Sequence, residues 1–189
     1  AVNGIIAGNF GASGQSCVAG SRVFIQKSIH SKILRMIKEH AKAIIVGDPL
    51  DKNTQVGPLA TAHQVERAHD VIDKSLKQGA KIVFGGKRPD HLSEGWYFEP
   101  TLLDCPNQAI DCVSTELFAP VISAITFDTE EEAIEMANDS DFGLGAGVFT
   151  ENLARAHRVS QKIHSGIVWV NTYRAISPIS PFGGFKQSG

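Results

Sequence analysis

The sequence predicts an α/β fold, a three-layer α/β/α domain built on a mostly parallel, twisted sheet. Three observations carry that prediction. Apolar residues recur with helical period in several separate segments, short β-branched or aromatic runs fall between them, and glycine or a capping residue marks the junctions. Strands that alternate with helices pair in parallel, because a parallel pair needs a crossover of a dozen or more residues and a helix supplies it.

The chain opens on a helix-like stretch, Ala1 to Phe10, with no capping residue ahead of it. After a strand at Val23 to Ile25, the positions Ile29, Ile33, Leu34, Ile37, Ala41, Ile44 and Ile45 line one side of a helix, with Ser28 as its expected cap. A further helix spans 62–78 on Val65, Ala68, Ile72 and Leu76; Lys74 and Lys77 suit its C-terminus and Gly79 stops it. Lys81 to Phe84 reads as a strand. From Pro89 to Pro106 the sequence looks rich in loop, with room for an irregular or antiparallel excursion. Val121 to Phe127 is the longest strand run. Thr129 and Glu132 form a capping box ahead of Ala133, Ile134 and Ala137. Strands at Ala146 to Phe149 and Ile167 to Val170 then flank a helix at 152–163 on Leu153, Ala156, Val159 and Ile163. The chain ends in a glycine-rich loop, and both ends read as cut from a longer protein.

Composition narrows the function. At 189 residues, 42% hydrophobic and 20% charged, the chain has enough apolar surface for one domain with its own core. Its net charge is −2 with Lys and Arg scattered, so no basic stripe exists to neutralise a nucleic-acid backbone. No apolar run approaches the ~20 residues of a membrane span, and no secretory leader is evident. A cytoplasmic location and no membrane partner are expected. Cys17, Cys105 and Cys112 are odd in number and match no zinc or disulfide framework, which suits a reducing compartment. His157 and His164 share a helix face but give no ligand geometry, so no metal is expected. Gly143, Gly145 and Gly147 do not have the G-x-G-x-x-G spacing of a dinucleotide loop.

Chemistry centres on Cys17. Gly8, Gly11, Gly14 and Gly20 crowd around it, where the backbone can turn tightly or come close to a ligand. From these residues alone, Cys17 reads equally as a buried thiol beside a turn, Glu116 as a surface or helix-end acid, and Phe118 as a core aromatic.

Gly14-Gln15-Ser16-Cys17-Val18-Ala19-Gly20-Ser21-Arg22 resembles the active-site segment of the aldehyde dehydrogenase superfamily. Later motifs follow in the same order. Glu116-Leu117-Phe118-Ala119-Pro120-Val121 resembles the family's Glu-Ile-Phe-Gly-Pro-Val, with Ala119 in place of a common Gly. Trp169-Val170-Asn171 and the run from Pro181 to Gly189 resemble its late strand and closing loop. The resemblance spans the chain and departs at Gly11-Ala12, where relatives often carry an aromatic and an Asn.

It implies oxidation of an aldehyde to a carboxylic acid with NAD or NADP, through a covalent thiohemiacetal and thioester on Cys17. Glu116 would accept hydrogen bonds from the nicotinamide ribose, and Phe118 would pack on the nicotinamide ring. Ile176 and Phe182 would line the aldehyde pocket. Arg174, near the same mouth, suggests pairing with a carboxylate-bearing aldehyde, against a plainer role as a solvated arginine. Residues 1–189 would then be the thiol-bearing catalytic domain. The nucleotide-binding domain, with most of the cofactor site, the general-base Glu and the oxyanion-hole amide, would lie upstream, and a C-terminal assembly segment would follow. The full-length protein is expected to be a homo-oligomer and the isolated chain a poor dehydrogenase. Two other readings stay open: a cofactor-independent thiol esterase or hydrolase, since a poised thiol can be acylated by an ester, and a non-catalytic domain.

Overall fold

The computed structural model describes all 189 residues. In chain order the elements are α1 (Val2–Asn9), β1 (Arg22–Gln26), α2 (His30–Ala41), α3 (Ala62–Lys77), β2 (Lys81–Phe84), β3 (Thr101–Asp104), α4 (Asp111–Ser114), β4 (Val121–Phe127), α5 (Glu130–Asn138), β5 (Phe142–Gly143), β6 (Gly145–Val148), α6 (Leu153–Lys162), β7 (Ile167–Val170) and β8 (Phe185–Lys186). The main sheet has the order β1-β4-β3-β2. β4 runs parallel to both β1 and β3, and β2 joins β3 antiparallel at the edge. β6 and β7 form a separate parallel pair, and β5 pairs antiparallel with β8.

Strand residues alternate strictly between two cores. Leu102, Ile122, Ala124 and Ile25 face α1 and α2, where they meet Phe10, Leu34, Ile37 and Ala41. Leu103, Val121 and Ile125 face the other way, onto Ala68, Val71 and Ile72 of α3 and onto Cys112 and Val113 of α4. Both faces of the central strands are thus covered, which is why β4 reads as a nearly continuous apolar run. Consecutive buried side chains on opposite faces are the α/β/α layering that the alternation of strand and helix predicted.

Helix ends follow their local chemistry. α3 closes in a Schellman motif: Ala80 N–H donates to the Ser75 carbonyl, Gly79 N–H to the Leu76 carbonyl, and Gly79 takes φ +103°. At α5, Thr129 Oγ1 accepts from Glu132 N–H at 3.2 Å and Glu132 Oε2 accepts in return from Asp128 N–H at 2.7 Å. Asn152 caps α6 through Arg155 N–H. Arg22, half-buried, ends α5 from outside, donating to the carbonyls of Met136, Ala137 and Asp139 at 3.0–3.3 Å with its guanidinium over the Phe24 ring. α5 and α6 are joined by Glu130, which accepts from Arg155 and Arg158 at 2.6–3.0 Å.

Two local expectations are corrected. Ser28 does not cap α2: it lies in a short 3₁₀ turn, Lys27–Ile29, and the helix begins at His30 with no side-chain cap. The helix also stops at Ala41, so Ile44 and Ile45 lie beyond it, and the neighbouring Val46 forms an isolated parallel bridge with Val56. In the stretch read as loop-rich, β3 supplies a central strand of the sheet, and the antiparallel excursion is β2 against β3. No helix is long and apolar enough to cross a membrane.

Candidate active site

Cys17 sits in the turn between α1 and β1, and the backbone leading to it is unusual. Ala12, Ser13 and Gly14 take φ of 54°, 55° and 70° in succession, a left-handed turn of which only the last residue is glycine. Each of the two side-chain-bearing residues costs about 1–2 kcal/mol in that conformation. Hydrogen bonds to a neighbouring loop offset the cost, at about 1 kcal/mol each. Ser13 Oγ donates to the Gly57 carbonyl at 2.9 Å, and the Gln15 carboxamide spans residues 58–60, accepting from Ala60 N–H at 2.8 Å and donating to the Pro58 carbonyl at 3.4 Å. Ser13 is almost fully buried, so its contact is shielded from competing water.

The glycines around Cys17 serve the protein's own packing. A Cβ on Gly14 would lie 2.0 Å from the Ala119 carbonyl oxygen, so the thiol turn rests directly on the backbone between Phe118 and Pro120. At Gly8, Gly20 and Gly147 a Cβ would come within 2.6–3.2 Å of the Tyr173 ring; the three absent side chains form a slot for it. That ring also lies 4.8 Å from Trp169, and burial pushes its phenol up to about 12. At Gly11 the added carbon would meet the Arg174 guanidinium.

Cys17 itself is exposed, whereas Cys105 and Cys112 are buried. The N–H of Cys17 donates to no acceptor in the chain, and neither do those of Ser16 and Val18 on either side of it. An exposed sulfur with a free N–H beside it can attack a carbonyl carbon and offer a donor to the oxygen that becomes charged. Glu116 is exposed, and Phe118, half-buried, adopts φ 53° between the buried Leu117 and Ala119. This segment follows α4 directly, and its contact at Gly14 brings it to the Cys17 turn. An exposed carboxylate and an aromatic ring two residues apart can accept from hydroxyl groups and pack on a flat ring.

The late motif is organised around β7. Trp169 Nε1 donates to the Ala175 carbonyl at 2.7 Å and so fixes the residue before Ile176. Asn171, at φ 56°, places its carboxamide on both backbone groups of Thr150, each at 2.9 Å, clamping the exits of β6 and β7 together. Phe182 precedes Gly183, whose carbonyl lies so close to Gly166 that a Cβ there would overlap it. Ile176 and Phe182 are 59% and 50% exposed, so neither is walled in by this chain. Arg174 is half-buried and donates to the Ala7 carbonyl at 3.4 Å, towards the C-terminus of α1. That one long contact leaves its other guanidinium N–H groups without a partner in this chain.

Residue reasoning alone missed Ser13, Gln15 and Tyr173. Gln15 lies within the recognised motif, but its partners are more than 40 residues away. A recess of about 470 Å³ between α2 and the sheet edge, lined by His30, Arg35, Lys38 and Asp104 among others, contains no candidate site residue.

Comparison with known proteins bears on the whole chain. Residues 1–189 match the model of the aldehyde dehydrogenase family. The chain is 49% identical to a (Z)-2-((N-methylformamido)methylene)-5-hydroxybutyrolactone dehydrogenase of Acinetobacter baylyi, with all of this chain and 38% of that protein covered. It is 43% identical to a betaine aldehyde dehydrogenase of Rhizobium etli, covering all of this chain and 39% of the relative. Among solved structures, the NAD+ complex of betaine aldehyde dehydrogenase from Staphylococcus aureus superposes with a TM-score of 0.96 at 37% identity, over the whole chain and 38% of that structure. The NAD+ complex of an aldehyde dehydrogenase from Bacillus cereus does so with a TM-score of 0.95, also at 37% identity and over the same shares. The chain spans about two fifths of the length of these relatives.

Proposed function

The chain belongs to the aldehyde dehydrogenase family, and from that premise we propose that residues 1–189 are the thiol-bearing catalytic domain of an enzyme that oxidises an aldehyde to a carboxylic acid with NAD or NADP. One observation carries the reading: Cys17 is exposed three residues after a left-handed turn whose Gly14 packs directly on the segment bearing Glu116 and Phe118.

In this reading Cys17 Sγ, as thiolate, attacks the aldehyde carbon to give a thiohemiacetal. Its own N–H, free of other acceptors, donates to the oxygen that gains charge. Glu116 would hold the cofactor through its ribose hydroxyls, and Phe118 would offer its ring to the nicotinamide. NAD or NADP, when bound, supplies the two-electron acceptor. Ile176 and Phe182 form an apolar wall on the substrate side, which keeps water from the thioester until an activated water is delivered. The general base, the nucleotide-binding domain and the assembly segment of the homo-oligomer are assigned to parts of the full-length protein outside this chain. A nicotinamide dinucleotide and a small aldehyde are the partners, in a cytoplasmic enzyme.

The test is steady-state kinetics of the full-length protein with an aldehyde and NAD+ or NADP+. Replacing Cys17 with Ala lowers kcat by roughly 10³-fold or more, with the fold retained by circular dichroism. Retention of more than about a tenth of kcat in that variant would remove Cys17 from this role.

A further inference from the structure

Cys105 and Cys112 take no part in the chemistry proposed for Cys17, yet they are set together with care. Their sulfurs are 3.5 Å apart, and the residues are only 3% and 4% exposed. Cys105 extends the line of β3, its N–H donating to the Ala124 carbonyl at 2.8 Å. Cys112 is held from two sides: its N–H donates to Ser75 Oγ of α3, and its carbonyl accepts from Ser123 Oγ of β4, both at 2.9 Å. Three elements thus converge on one thiol pair inside an otherwise apolar core.

We infer that Cys105 and Cys112 are a two-electron redox site, which hydrogen peroxide converts to an intramolecular disulfide independently of Cys17. The Cys112 sulfur attacks one peroxide oxygen; the O–O bond breaks, the second oxygen leaves as water after taking a proton, and Cys112 becomes a sulfenic acid. The Cys105 sulfur then attacks the Cys112 sulfur, the S–O bond breaks, and hydroxide leaves with the Cys105 proton as a second water. Two thiols lose two hydrogens, and one peroxide is reduced to two waters. Closure needs the sulfurs to move from 3.5 Å to about 2.05 Å, a shift that two side chains can share. The assignment of roles follows from the surroundings of the pair: the Cys105 contact and the hydroxyls of Ser123 and Ser75 hold the Cys112 thiol below its usual range, while the Cys112 contact and burial push Cys105 up. Burial of both sulfurs excludes a bulky disulfide such as oxidised glutathione and so restricts the oxidant to one as small as hydrogen peroxide.

Both cysteines fall in one tryptic peptide, but Asp111 separates them, so an endoprotease that cuts before aspartate resolves the pair. The full-length protein is treated with limiting hydrogen peroxide, denatured with an alkylating agent present, and digested without reduction. Peptides 104–110 and 111–127 are expected joined, two hydrogens lighter than their sum, in most of the protein and equally in a Cys17→Ser variant. Recovery of the two peptides apart and alkylated, or separately carrying added oxygen, or either one joined to the Cys17 peptide, overturns the inference. So does a mixed disulfide with glutathione on Cys105 or Cys112 after treatment with oxidised glutathione.

Discussion

The Cys17 turn and the loop that carries Ile176 and Phe182 are both irregular backbone, but they are built on opposite terms. The first is held from every side: Ser13 and Gln15 reach the loop at 57–60, Gly14 presses on Ala119, and Gly20 N–H donates to the Gly8 carbonyl. The second is fixed only near its ends, by Trp169 at Ala175 and by the approach of Gly183 to Gly166, and between them Ile179 is 92% exposed. A nucleophile must be aimed within fractions of an ångström, and backbone strain persists only where the surroundings over-determine it. A wall that receives an apolar substrate has no such requirement. The place of the thiol is therefore intrinsic to this chain, and the shape of the substrate side is left adjustable.

The sharpest test of that contrast is Gly14→Ala. The added carbon meets a backbone carbonyl at a φ that disfavours side chains, so the variant is expected to lose about 3 kcal/mol of stability, read as a fall in the urea midpoint. An unchanged midpoint would mean that the turn relaxes freely and is not over-determined. Phe182→Ala probes the other region. Because the ring is half exposed, stability stays within about 0.5 kcal/mol of the parent, while KM for an apolar aldehyde rises roughly threefold to tenfold. A stability loss as large as that of Gly14→Ala would erase the distinction.

The smallest effect lies away from both regions, at the link between α5 and α6. The Arg158 guanidinium, with Arg155, holds the Glu130 carboxyl down at about 2. A carboxylate depressed in the folded state contributes stability that is complete above its unfolded value of about 4.3 and is lost as pH falls towards 2. Its partners Arg155 and Arg158 are about half exposed, so water screens the pair and the contribution is small. Glu130→Gln is expected to flatten the stability profile between about pH 4.5 and 2 and to leave it unchanged near neutrality. Parallel profiles for parent and variant would show that the pair does not act in solution.

What was legible in the sequence was chiefly what local chemistry decides. Gly79 after Lys77, and Thr129 ahead of Glu132, set helix ends through bonds that span three to five residues, and both were readable. β3 was not, because Thr101 to Asp104 is short, lies between prolines, and becomes a strand only by lying between β2 and β4. Ser28 misled for a related reason: a capping residue type was present, but the chain made a 3₁₀ turn there first. At the site, the motif pointed to Cys17, Glu116 and Phe118, and the structure brings their segments together. The glycines around Cys17, however, read as either tight turns or room for a ligand, and only Gly14 takes a turn that needs a glycine. Much of that room is taken by Tyr173, Arg174 and the Ala119 carbonyl, groups that lie more than 100 residues further along the chain.

The Tyr173 slot has a consequence for how such a chain can change. Gly8, Gly20 and Gly147 belong to three different segments, yet each is bare because the same ring occupies the space. A methyl group gained at any of them calls for a smaller side chain at 173, and a smaller side chain at 173 leaves a void until one of them grows. Inheritance therefore acts on the four positions as a single character, and a substitution that looks mild in one of them is tolerable only in company.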